Sequence, residues 1–220
     1  LTAANRGVVA QVFIAKAAER ATDPSLDLFT EWFRVTAMVG TPAHARALIA
    51  KAQSAGKLRE LVSRVSGQTE AELSGRDPRA QAAYVLGNYY ASDNRTEQAE
   101  AAYELALEYE PSHPWACNNL GYSLLERGTD LERAGVLLER AHAALPEEAA
   151  ITDSLGWLRY KQGILYDERG PDGAVSRRGA VNLLQAAAKT DRGQRDPTIL
   201  NHYGDALWLA GRAEDARRYW

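Results

Sequence analysis

Apolar and small residues recur along this chain at spacings of three and four, in runs broken by Gly, Pro or Asn. Such spacing gathers them on one face of a helix. In "AQAAYVLGNYYASDN" followed by "RTEQAEAAYELALEYEP", Ala99, Tyr103 and Ala106 share a face ahead of Pro111, which predicts two helices joined by a short turn. The first of these phrases has relatives. "YVLGNYYASDN" spans 84–94, "NNLGYSLLERG" 118–128, "DSLGWLRYKQG" 153–163 and "NHYGDALWLAG" 201–211. Their anchor glycines, Gly87, Gly121, Gly156 and Gly204, are separated by 34, 35 and 48 residues. Two near-equal intervals and one longer one predict regular repeats with an insertion in the third. Asn94, Gly128, Gly163 and Gly211 each fall seven residues after an anchor, where a helix should stop. Gly and Asn are the residues that accept a left-handed cap there. Pro111 and Pro146 then close the second helices.

The pattern resembles the tetratricopeptide repeat (TPR), whose signature runs W-x2-L-G-x2-Y…A-x3-F…P over about 34 residues. Residues 80–113 carry it through Leu86, Gly87, Tyr90, Ala99, Tyr103, Ala106 and Pro111. Residues 114–148 supply Leu120, Gly121, Leu124, Ala134, Leu138, Ala141 and Pro146. A third repeat, 149–196, keeps Leu155, Gly156, Ala180, Leu184 and Ala187 around an insertion near 165–178. The fourth, 197–220, has Tyr203, Gly204, Leu207 and Ala216 and stops at Trp220, within its second helix. The resemblance implies an all-α fold, a right-handed superhelical solenoid of antiparallel helix pairs. One pair cannot bury its apolar face alone, whereas stacked pairs share a continuous core. The small Gly or Ala lets two helices approach, and a larger Leu or Tyr fills the space beside it.

Upstream, over 1–79, the register fades into a helical region. Residues 26–59 thread as one divergent repeat through Trp32, Gly40, Ala45, Ile49 and Ala52, but Phe33 stands where a small residue belongs. Residues 3–20 read as an amphipathic helix and 57–65 as a short one, with "SGQTEAELSGRD" as a connector. The insertion around "ILYDERGPDGAVSRR" reads as a surface loop or a lengthened helical hairpin, with a partner-contacting element as the sharper alternative.

Composition then removes several functions. Across 220 residues the net charge is −3, which gives no field for nucleic acid or anionic membrane. No apolar run reaches the roughly 20 residues that span a bilayer, so membrane insertion is not expected. Leu1 stands where a Met would begin a chain, and no secretory signal follows; we read a fragment of a soluble protein, with the cytoplasm favoured. Cys117 is the only cysteine and takes a packing position. The four histidines, His44, His113, His142 and His202, are scattered without metal-ligand spacing. No phosphate-binding loop or nucleophile elbow is present. Neither a catalytic residue nor a cofactor is expected. "NRT" at 94–96 fits a glycosylation sequon but is explained by the helix turn.

What remains is surface. The resemblance implies an inner wall made mainly by the first helix of each repeat. Carried onto this chain, that wall takes Gln81, Tyr84, Asn88 and Ser92 from the first repeat and Trp115, Asn118, Asn119, Tyr122 and Glu126 from the second. The third contributes Asp153, Ser154, Trp157, Tyr160 and Lys161, and the fourth Asn201, His202, Asp205 and Trp208. Amides both donate and accept, so they can hold an extended peptide's backbone, while Trp and Tyr offer stiff contact area. Packing between repeats is the competing role for Trp157 and Tyr160. Chaperone-binding members of the family grip a terminal carboxylate with a Lys/Asn/Asn/Lys/Arg clamp. This chain keeps two amides, Asn88 and Asn119, but has Tyr84, Ala150 and Ser154 in place of cations, so that ligand is not expected. The expected function is a non-catalytic module binding a protein or peptide segment in its concave groove. The alternatives are a structural or oligomerisation array, with self-association through the truncated last repeat, or substrate-positioning repeats of a larger enzyme.

Overall fold

The computed structural model describes residues 3–220, with side chains from Arg6 onward. The described residues form twelve α-helices, a 3-10 turn at Gly193–Arg195 and one two-stranded hairpin. They fall into two compact units, the first ending at Ala116 and the second running Cys117–Trp220.

The first unit contains α1 (Ala3–Arg20), α2 (Leu26–Val39), α3 (Pro42–Ser54), α4 (Leu58–Ser66), α5 (Pro78–Ser92) and α6 (Thr96–Tyr109). Phe33, at the position that should be small, is buried and turns its ring edge-on to Tyr89 at 5.8 Å. The end of α2 is tied down from α5 and the turn after it. Tyr90 donates its hydroxyl to the Thr36 carbonyl (2.9 Å), and Arg95 donates to the carbonyls of Ala37 and Met38, both at 2.7 Å. The carbonyls of Ala37 and Met38 are among those a helix end leaves without partners, whereas the Thr36 carbonyl also accepts the Gly40 amide at 2.8 Å. The Arg95 guanidinium also lies 4.6 Å from the Tyr90 ring.

α7 (Pro114–Arg127) begins in the first unit and continues into the second, which adds α8 (Leu131–Ala144), α9 (Ala149–Lys161), α10 (Ala180–Lys189), α11 (Pro197–Leu209) and α12 (Ala213–Ala216). The anchor glycines do what their repetition suggested. A Cβ on Gly87 would stand 2.4 Å from the Tyr103 ring, on Gly121 2.9 Å from Leu138, and on Gly156 2.7 Å from Leu184. At Gly204 it would meet the Trp220 indole at 2.6 Å. Gly87, Gly121 and Gly156 thus admit the large side chain of the helix packed on them, and Gly204 admits the Trp220 indole that follows α12. The helix ends agree too: Asn94, Gly128, Gly163 and Gly211 all adopt left-handed backbone, with φ of 57°, 66°, 74° and 78°.

The insertion is an exposed surface element, not a lengthened helical hairpin. It forms an antiparallel ribbon, β1 (Glu168–Arg169) and β2 (Val175–Arg177), exposed along both strands and turning at Gly173 with φ 80°. Its base is pinned where Asp167 accepts from the Gly179 amide (2.9 Å) and Ile164 accepts from Ala180 (2.8 Å). None of the helices is long and apolar enough to cross a membrane.

Candidate functional site

In the first unit α5 supplies the centre of a cleft system. Gln81, Tyr84, Asn88 and Trp115, four of the residues expected on the inner wall, line one cleft of about 380 Å³. The opposite side is Val65, Ser66 and Gln68, from the end of α4 and just beyond, with Arg76 from the connector. A second cleft shares Val65 and Tyr89 and is edged by Asp27, Glu31, Arg34 and Arg64. A third, of about 240 Å³, gathers Phe33, Ala37, Met38, Tyr89 and Ser92. Tyr89 borders all three, so they run into one another along the unit.

The wall of the first cleft is orientated from behind. Tyr103 donates its hydroxyl to the Asn88 carbonyl oxygen (3.0 Å), which fixes which way that amide faces. Tyr84 stacks obliquely between Tyr103 and His113, at 6.1 and 5.0 Å between ring centres. His113 is fully buried. Its Nδ1 accepts the backbone N–H of Ala116 (3.1 Å), so the proton sits on Nε2, which donates to Gln81 Oε1 at 3.0 Å. Gln81 in turn donates to Gln68 Oε1 at 2.7 Å, which carries the relay to the cleft surface. Burial, reinforced by the nearby Arg76 charge, depresses the His113 pKa to about 4. A neutral imidazole therefore holds two amides in place.

The residues expected from the second unit are arranged differently. Trp157 is only 8% exposed and is sandwiched between Tyr160 (4.7 Å, 7° between planes) and His202 (4.0 Å, 11°). Its indole N–H donates to Glu126 at 2.7 Å, and the Lys161 ammonium lies 4.7 Å from the ring. His202 Nδ1 contacts both carboxylate oxygens of Asp153, at 2.9 and 3.1 Å. Burial raises the Asp153 pKa against the opposing pull of His202. Tyr122 is pushed up to about 12 by burial and then by the negative charges of Glu126 and Asp153. Asp153, Trp157 and His202 thus spend their polar and aromatic surface largely on one another. Asn118 is buried and donates to Asn119 Oδ1 (3.2 Å), while its own Oδ1 has no partner among the described residues. Asn201 is exposed, Asp205 half-buried, and Trp208 53% exposed beside Trp220 at 5.7 Å.

Tyr89 and Arg76 escaped sequence reasoning, and Phe33 was singled out only as a departure from the repeat, not as a cleft residue. Tyr89 directly follows Asn88 but lies outside the transferred inner positions, and Arg76 sits in the connector. Cys117 is buried and forms no disulfide among the described residues. Among the described residues no three or more His, Cys, Asp or Glu side chains are grouped to hold a metal ion.

Helix pairs locked by glycine–large residue contacts, with left-handed caps at a constant offset, define an all-α helical-repeat fold that resembles the tetratricopeptide repeat. No family model matches the chain. A TPR repeat-containing protein of Pseudomonas aeruginosa is 39% identical over 74 residues, which is 34% of this chain. The matched stretch is only 12% of that relative's length. Among solved structures, BtubC (BKLC) from P. vanneervenii covers 100% of this chain and 89% of its own, with a TM-score of 0.50 and 18% identity, a likeness of fold alone. MamA from Desulfovibrio magneticus RS-1 has a TM-score of 0.49 and 18% identity over 81% of this chain and 90% of its own.

Proposed function

We propose that the chain is a non-catalytic interaction module that binds an extended segment of a partner protein in the cleft system of its first unit. The observation that carries this is the convergence of Tyr84, Asn88 and Trp115 on one cleft whose amides are held by Tyr103 and the His113 relay. Pre-orientated amides bind a peptide backbone without first losing side-chain freedom. The neighbouring cleft of Phe33, Ala37, Met38 and Tyr89 offers a place for an apolar side chain, with Met38 69% exposed. Affinity capture from a lysate of its source cells, read by mass spectrometry, tests the proposal when run beside a Tyr84→Ala/Asn88→Ala variant. A partner held by the first bait and lost by the second supports it. Equal capture by both moves the function elsewhere on the chain.

A second reading is assembly by self-association through the last repeat. It is favoured by the exposed apolar group of Trp208, Leu209 and Trp220, each more than half exposed. A light-scattering mass that rises with concentration, and falls back for Trp208→Ser, is the expected sign. A constant monomer mass removes it.

A further inference from the structure

Of the ten residues lining the cleft beside α5, Arg76 alone carries a charge. It is half-buried, and among the described residues no carboxylate pairs with it. Two acids close to it in sequence, Asp77 and Glu72, are engaged elsewhere. Asp77 is gripped by Arg79 at 2.6 Å, and Glu72 accepts both the amide and the hydroxyl of Thr69 at 2.7 and 2.9 Å. The other cations of the cleft system differ in this respect: Arg34 holds Glu31 at 2.7 Å and Arg64 holds Asp27 at 2.6 Å. What Arg76 acts on electrostatically is His113, an imidazole kept neutral. The cleft therefore presents one cation, uncompensated, among the amides Gln68, Gln81 and Asn88.

A guanidinium offers a planar fork of donors that fits a carboxylate through two parallel hydrogen bonds. Amides beside it can hold the backbone that carries such a group. We propose that this cleft is a subsite for an acidic side chain, in which Arg76 receives the carboxylate of an Asp or Glu within the extended partner segment. The assignment rests on the cleft being the binding groove, and it adds the chemistry of the ligand. Arg76 comes from the connector between α4 and α5, outside the helical repeat positions, so the charge is a property of this chain's irregular segment.

The test is selection of a random peptide library on the intact chain, repeated on Arg76→Gln and on Tyr84→Ala. The side chain of Arg76 makes no hydrogen bond that the fold needs, and circular dichroism checks that each variant is folded. Peptides that require Tyr84 are expected to be enriched in Asp or Glu at one position. A selected peptide should bind Arg76→Gln roughly tenfold more weakly, and changing its acidic residue to the amide should cost the same without adding to the loss. Arg76→Lys should retain the salt dependence that Arg76→Gln loses. Tyr84-dependent peptides with no acidic preference, or with equal affinity for Arg76→Gln, overturn the subsite and leave the groove standing. Selection that yields nothing, or peptides indifferent to Tyr84→Ala, overturns both.

Discussion

His113 ties one residue's protonation to both stability and the binding surface. Its Nδ1 is occupied by a backbone N–H and its Nε2 by Gln81, so a second proton would have to displace the Ala116 amide. The folded pKa is about 4, below the ordinary 6.5, so between those values the unfolded chain takes up a proton that the native chain refuses. Stability is therefore complete above pH 6.5 and is lost as pH falls toward 4, by roughly 3 kcal/mol across the window. Urea midpoints at neutral and mildly acidic pH should converge on those of His113→Asn as acid is added. His142 is shifted in the same direction, by burial first, so the comparison with His113→Asn is what isolates His113. On the cleft surface, Tyr84→Ala or Trp115→Ala should cost about 1–3 kcal/mol of partner affinity, readable by calorimetry.

At the scale of elements, the glycines decide how closely helices pack. Two of them make opposite predictions. Gly156→Ala would gain up to about 1 kcal/mol of helix propensity, yet its Cβ would lie 2.7 Å from Leu184 and 3.2 Å from Leu183. Overpacking costs about 1–3 kcal/mol, so the net effect should be destabilising and lower the melting temperature by a few degrees. In α8, a Cβ on Gly135 finds its nearest neighbour at 3.7 Å, an ordinary contact, so Gly135→Ala should be neutral or stabilising. Equal effects of the two substitutions in thermal melts would contradict the role given to the anchors. Arg95 belongs to this scale as well. Arg95→Ala strips the last carbonyls of α2 of charged donors and should destabilise the first unit by about 1.5–3 kcal/mol in denaturant titrations.

At the scale of the whole molecule, the repeat was legible because each glycine contact and each cap is local and recurs at a fixed offset. Gly87, Gly121 and Gly156, and the large residues Tyr103, Leu138 and Leu184, were picked out by the resemblance to the repeat signature, and the structure pairs them. The site was legible only in part, because clefts are made by residues from different elements. Tyr84, Asn88 and Trp115 were accessible through the repeat register. Arg76 and Phe33 come from segments where that register fades, and no periodicity points to the separate clefts that each lines beside α5. In the second unit, Trp157 and Asp153 look like groove residues in sequence, but His202, far along the chain, closes on both. The hairpin at 168–177 was missed for a similar reason: its pairing follows from a turn at Gly173, not from an apolar period.

The central claim concerns where a partner sits, and amide hydrogen exchange of the chain with and without a captured partner tests it most directly. The account predicts that protection on binding concentrates on the end of α4, the connector at Arg76, and α5 from Gln81 to Ser92. Protection confined to the hairpin, or to the surface around Trp208, with α5 unchanged would contradict it.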